Sequence, residues 1–299
     1  MTESPILFRG LIAYPITPLT GSEKLVDHNV LARLVARNAA AGVDGVTVLA
    51  SSGAGASFDR EERRAIVQTA VAAAGDMPVY VAVSSPSTRD VLAFAQDAAG
   101  LGAQGLVVTP FSYLPLDDDE VVALLQALSD ETPLPICFYN KPVQTQYDLP
   151  PAVLTRLMAE TNLVAVKEPA TRAGRPASRL AELRAAGGPG LSLGVSGDVQ
   201  ILTDLPPTDA WHTGLAALRP DQYVAVWRAA RTNTTDAAEH DAEARTELLT
   251  LAQALAGSAR SMGALHALAT LCGIDTEPPR APQLRAMDRD LAALHTALG

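Results

Sequence analysis

Apolar positions along the chain follow two rhythms. Short unbroken runs rich in Val, Ile and Leu alternate with alanine-rich segments in which apolar residues return every three or four positions. The runs are GLIAYPITP (10–18), GVTVLAS (45–51), PVYVAVS (78–84), GLVVTPF (105–111), LPICFYN (134–140), LVAVKEP (163–169), LSLGVSG (191–197) and AWHTGLAAL (210–218). Their starts lie about 20 to 35 residues apart, which leaves room for one helix and two short loops in each unit. Strands this continuously apolar are buried on both faces, and eight in sequence predict a (β/α)8 TIM barrel. An open doubly wound sheet is the alternative, but the first run lacks the GxGxxG turn of a dinucleotide site. Beyond Pro220, helical periodicity around YVAVWRAAR, ELLTLAQALAG and MGALHALATLCG exceeds one closing helix, and EPPRAP (277–282) breaks the last two helices. The expected division is a barrel over 1–225 and a C-terminal helical extension over 226–299.

Composition narrows the function classes. With 299 residues, 48% of them hydrophobic, the chain can bury a sizeable core. A net charge of −10 argues against a nucleic-acid or anionic-membrane partner, because the long-range field repels phosphates. A small-molecule substrate fits better. Cys137 and Cys272 have neither metal-ligand nor disulfide-framework spacing, and MTESPILFRG lacks the charged-then-apolar order of a leader. The cytoplasm is the expected compartment. No apolar stretch approaches the roughly 18 residues of a membrane span.

In a barrel the chemistry gathers at the C-terminal ends of the strands. Polar residues there are Thr17, Ser51, Ser52, Ser84, Thr109, Tyr113, Tyr139, Asn140, Lys141, Lys167, Glu168, Ser196, Asp198 and His212. Lys167 stands out because it ends an otherwise apolar strand. Desolvation there lowers an amine's pKa and frees a nucleophile that can form a Schiff base with a ketone; the alternative is a lysine that snorkels out or pairs with a carboxylate. Tyr139, one strand earlier, is either a proton relay or a packed core tyrosine. Lys141 is a second cation on the same side or a solvated loop residue. LASSGAG (49–55) offers hydroxyls and turn amides to an anion, helped by the next helix N-terminus, or is an ordinary βα loop. His212 is an acid/base or carboxylate ligand, or a packed histidine.

The ordered set AYPITPLT (13–20), SSG (51–53), VVTPF (107–111), FYN (138–140) and VAVKE (164–168) resembles the dihydrodipicolinate synthase/N-acetylneuraminate lyase family, from about residue 8 to the end. The resemblance implies a (β/α)8 barrel with a C-terminal helical extension. It also implies a homotetramer (or dimer) and class I aldolase chemistry on pyruvate or a related 2-oxo acid, without metal or cofactor. Lys167 then stands at the Schiff-base lysine and Tyr139 at the proton relay, and Ser51 and Ser52 fall where the family holds the substrate carboxylate. Lys141, His212 and Tyr113 are further candidates for substrate contacts.

The departures are as specific as the matches. The family's Gly-Thr-Thr-Gly-Glu loop reads Ala50-Ser51-Ser52-Gly53-Ala54 here, without the glutamate. Gln144 stands where the synthases carry an arginine for the second substrate's carboxylate, which argues against aspartate semialdehyde. Ser112 stands where they place the inter-subunit tyrosine, with Tyr113 one step on. Lys141 and His212 occupy positions that are apolar in typical members. A lyase or aldolase with a rebuilt pocket is the leading expectation. A sugar-acid dehydratase using the same imine and a non-catalytic 2-oxo-acid binder are the alternatives.

Overall fold

The structure, a computed structural model, describes residues 7–170, 176–232 and 238–299; residues 1–6, part of the stretch read above for a leader, lie outside them. Eight parallel strands close into a barrel: β1 (Gly10–Ala13), β2 (Gly45–Val48), β3 (Val79–Ala82), β4 (Gly105–Val108), β5 (Ile136–Tyr139), β6 (Leu163–Pro169), β7 (Ser192–Ser196) and β8 (Ala210–Thr213). They pair in sequence order, and β8 pairs with β1 to close the ring. Each strand lies within one of the eight apolar runs. The (β/α)8 expectation holds, and the open sheet is excluded by the β1–β8 pairing.

Strand alternation divides the core in two. Inside the barrel lie Phe8, Ile12, Tyr14, Tyr80, Val107, Cys137, Ala165 and Ala210, while a larger cluster fills the layer between strands and helices. The bottom is shut by Phe8 stacked on Tyr80 at a centroid distance of 4.1 Å, with the Phe8 N–H donating to the Tyr80 hydroxyl at 3.0 Å. This plug needs glycine around it: a Cβ at Gly105 would lie 2.7 Å from the Phe8 ring, and one at Gly45 2.8 Å from Tyr80. With the bottom filled, the mouth at the strands' C-terminal ends is the open end.

After β8 the chain forms helices Leu215–Leu218, Pro220–Thr232, Ala238–Ala256, Ser261–Leu271 and Asp288–Leu298. Residue 225 lies within Pro220–Thr232, so no linker separates barrel from extension at that position. The segment after Leu271 returns to the barrel. Glu277 N–H donates to Leu19 O at 2.8 Å, and Arg280 pairs with Glu62 at 2.6 Å. Prolines in EPPRAP leave this stretch between helices, as their fixed φ and missing donors dictate. That return brings Gln283 to the rim of the mouth, where Met262 of the helix Ser261–Leu271 also lies. No helix among the described residues is long and apolar enough to cross a membrane.

Candidate active site

Alternation at the ends of β5 and β6 builds the centre of the site. Tyr139 and Lys167 are paired in register and face inward, so the next residues, Asn140 and Glu168, turn outward. The outward pair ties the strands together: Asn140 Nδ2 donates to Glu168 Oε2 at 2.8 Å, and Arg179 Nε donates to Glu168 Oε1 at 3.3 Å. Burial raises the pKa of the Glu168 carboxyl, against the opposing pull of Asn140 and Arg179. FYN and VKE are thus one unit, two inward groups held by two outward ones.

Lys167 is buried, and its Nζ lies 3.6 Å from the Tyr14 ring centroid and 3.7 Å from that of Tyr139. Burial holds its pKa well below the usual ammonium value, and the nearby Lys141 pushes it further down. Cys137 and Asp198 act in the opposite sense, but no carboxylate among the described residues closes a salt bridge with it. Lys167 therefore does not snorkel out, and among the described residues it has no salt-bridge partner. The Tyr139 phenol is pushed up to about 12 by burial, with the Ser51 and Ser196 hydroxyls opposing the shift. It keeps its proton at neutral pH and can donate it.

The two serines diverge. Ser51 accepts a hydrogen bond from Lys141 Nζ at 2.9 Å, across the mouth from β5. Ser52 turns to the other side, where a Cβ at Gly214 would lie 2.8 Å from its hydroxyl. The following long helix starts only at Arg60, and Asp59 with Glu62 closes its N-terminus in a capping box. That helix end supplies no anion site at the serines, contrary to the expectation from LASSGAG; the hydroxyls and turn amides remain.

Two cavities flank the Tyr139–Lys141 edge. One of about 600 Å³ is lined by Lys167, Tyr139, Lys141, Ser52, His212 and Asp198 among others. The other, of about 280 Å³, has Ser51, Tyr139, Lys141, Gln144 and Thr109 in its wall. Tyr113 lines neither; it is 95% exposed on the loop after β4. His212 is fully buried in the inner wall, its Nδ1 2.9 Å from the Tyr14 hydroxyl, and burial beside Lys167 holds it well below the usual imidazole value.

Two contributors escape the sequence reading. Tyr14 follows β1, where nothing in AYPITPLT marks it as the floor under a lysine. Asp198, named only as a strand-end polar residue, has its carboxyl raised to about 6 by burial, against the pull of Thr213, Tyr223 and Trp211 around it. Among the described residues no group of three or more His, Cys, Asp or Glu side chains is placed to hold a metal ion.

The profile of the Dihydrodipicolinate synthetase family matches residues 7–299. The chain belongs to this family. A 4-hydroxy-tetrahydrodipicolinate synthase of Phenylobacterium zucineum (strain HLK1) is 34% identical over 164 residues, 54% of this chain and 55% of the relative. The chain thus spans about half the length of that relative. The crystal structure of a dihydrodipicolinate synthase from Agrobacterium tumefaciens str. C58 superposes with a TM-score of 0.87 at 29% identity, covering 97% of both chains. YagE, a prophage protein of E. coli K12 from the same family solved in complex with pyruvate, has a TM-score of 0.85 at 23% identity, covers 98% of both chains, and speaks for the fold. Membership in the dihydrodipicolinate synthetase family agrees with the resemblance read from the five motifs.

Proposed function

We propose that the protein is a Schiff-base-forming lyase or aldolase acting on pyruvate or a related 2-oxo acid. The observation that carries this reading is Lys167: a buried amine without a salt-bridge partner among the described residues, at the open end of the barrel, lining a cavity large enough for a small organic acid. Its Nζ lone pair attacks the 2-oxo carbon, and the carbonyl oxygen takes a proton to give a carbinolamine. Loss of that hydroxyl as water leaves a protonated imine. The imine nitrogen then receives the electron pair of a breaking C3–C4 or C3–H bond, forming the enamine. Tyr139, protonated and in contact with Lys167, suits the proton transfers at the oxygen. The turn carrying Ser51 and Ser52 serves as the carboxylate clamp, Ser52 from the wall of the Lys167 cavity and Ser51 beside Lys141 at its edge, and holding the acid in this orientation accounts for a large share of the rate.

Relatives carry the name of the synthase, yet the second substrate is read here as different. Gln144, at the synthases' arginine position, lines both cavities and brings no charge. The cation at that edge is Lys141. Self-association as a homotetramer or dimer is supported by Tyr113 and Leu114, which stand 95% and 69% exposed on one loop.

The test is trapping: incubation with pyruvate, reduction with borohydride and intact mass. A single reduced adduct on wild type, absent from Lys167→Ala, is expected. An adduct that persists in Lys167→Ala would falsify the assignment.

A further inference from the structure

His212, one of the residues lining the Lys167 cavity, carries a buried polar atom that the imine chemistry does not use. His212 points inward from β8, and the Tyr14 hydroxyl fixes its Nδ1 at 2.9 Å while Lys167 rests on the face of the same Tyr14 ring. Its Nε2 has no partner among the described residues, although the ring is fully buried. The backbone is shaped for this nitrogen: a Cβ at Gly194 would lie 2.2 Å from Nε2. Gly194 is also the residue beside Lys167 across the β6–β7 ladder. Nε2 therefore takes the side-chain place of the lysine's own neighbour, about 4.8 Å away across the ladder.

Trigonal geometry then says what reaches it. The imine carbon of a 2-oxo acid bears the nitrogen, the C1 carboxylate and C3. With the nitrogen on β6 and the carboxylate at the serines after β2, on opposite sides of the ring, C3 leaves toward either β4 or β8. Lys167 opens into the cavity shared with His212, Ser196 and Gly214, and not into the smaller one on the β4 side. C3 lies on the His212 side.

We propose that His212 is a substrate contact whose Nε2 hydrogen-bonds a hydroxyl on C3, so that the preferred donor is a 3-hydroxylated 2-oxo acid. A hydroxyl donates and accepts, and satisfies Nε2 in either tautomer that Tyr14 selects. A methyl there leaves a buried nitrogen unpaired, the situation in which polar pockets discriminate against deoxy analogues. The inference rests on the Schiff-base reading of Lys167 and names the substrate class of that site.

The experiment titrates the full chain with 3-hydroxypyruvate and with pyruvate, traps each with borohydride and reads the labelled fraction by intact mass. Wild type is expected to be half-labelled at a three- to tenfold lower concentration of 3-hydroxypyruvate, roughly the worth of one hydrogen bond. In His212→Phe the ratio between the two acids falls to about one. His212→Asn, which keeps a polar side chain, retains part of it and gives the same comparison if the phenylalanine variant does not fold. Equal half-labelling on wild type, or an unchanged ratio in His212→Phe, overturns the proposal. No adduct with either acid on wild type removes the lysine reading and this one with it, a failure distinguishable from lost preference.

Discussion

The Lys167 Nζ sits 3.6 Å from the centroid of the Tyr14 ring, so the amine meets a π face where a carboxylate would stabilise its charge better. On the proposed Schiff-base reading, function at this position works against stability. Lys167→Met fills a similar volume without a charge to desolvate. It should abolish imine trapping and raise stability by about 1 kcal/mol or more, read as a higher denaturant midpoint at unchanged slope. A less stable Lys167→Met protein would mean the lysine is satisfied in a way the geometry does not contain.

The same amine sets a pH dependence whose sign is fixed. Its folded pKa lies below the ordinary value of 10.5, so between the two the unfolded chain holds more protons and stability rises with pH. The advantage of Lys167→Met over wild type should shrink as pH is raised toward 10.5. Asp198 runs the other way: raised from 3.8 to about 6, it binds its proton more tightly in the folded state, and stability falls as pH climbs through that interval. Asp198→Asn should gain on wild type from pH 3.8 to about 6 and keep a constant lead above, measured by denaturant unfolding across a pH series.

Lys141 acts on Lys167 through charge. It is the second cause, after burial, of the lowered lysine pKa, and its own pKa is lowered by burial. Lys141→Met removes that repulsion, so the pH at which adduct formation is half-maximal should move upward. The rate of pyruvate trapping against pH reads this shift; a profile that does not move would show that desolvation alone tunes Lys167.

The barrel was legible because each strand is buried on both faces, which leaves an unbroken apolar run that periodicity detects. Lys167 drew notice for a related reason, a charged group ending an apolar run, whereas Tyr139 read equally as a packed core tyrosine and only the resemblance set it apart. Tyr14, His212 and Gly194 form a contact between positions 14, 194 and 212: the β7–β8 pairing sets Gly194 beside His212, and only closure of β8 onto β1 adds Tyr14. No local pattern encodes that. Asn140 and Glu168 were named only as strand-end polar residues; their shared role could have been read as well, since alternation from Tyr139 and Lys167 sends both outward together. The serine pair looks equivalent in sequence, but adjacent residues in a turn point apart, so Ser52 lines the Lys167 cavity and Ser51 the smaller one. Tyr113 lies two residues beyond the apolar run 105–111, and the loop after β4 carries it out to solvent.

Arg179 holds the outward half of the FYN and VKE unit. Its Nε lies 3.3 Å from Glu168, which is 2% exposed, and its NH2 donates to Leu149 O at 2.6 Å. Arg179→Met leaves a buried carboxylate with Asn140 as its remaining hydrogen-bond partner among the described residues and should lower stability by about 3–5 kcal/mol. Removing the acid as well, in Arg179→Met/Glu168→Met, should restore much of the loss. A double mutant no more stable than the single would assign the effect to the Leu149 contact instead.

Gly194 makes the sharpest steric statement in the site. A methyl there would stand 2.2 Å from His212 Nε2 and 2.5 Å from Cδ2, inside any real contact, and the ring cannot retreat without leaving the Tyr14 hydroxyl. Gly194→Ala should therefore lower stability by about 1–3 kcal/mol through overpacking. The cause is separable from a general strand effect, since β7 is extended and alanine suits it at least as well as glycine. If the clash is with the imidazole, His212→Ala opens the space, and Gly194→Ala should cost far less in that background. The coupling energy from the four denaturation curves is the measurement. Additive single effects would place the strain in the backbone and sever the link between Gly194 and the orientation of His212.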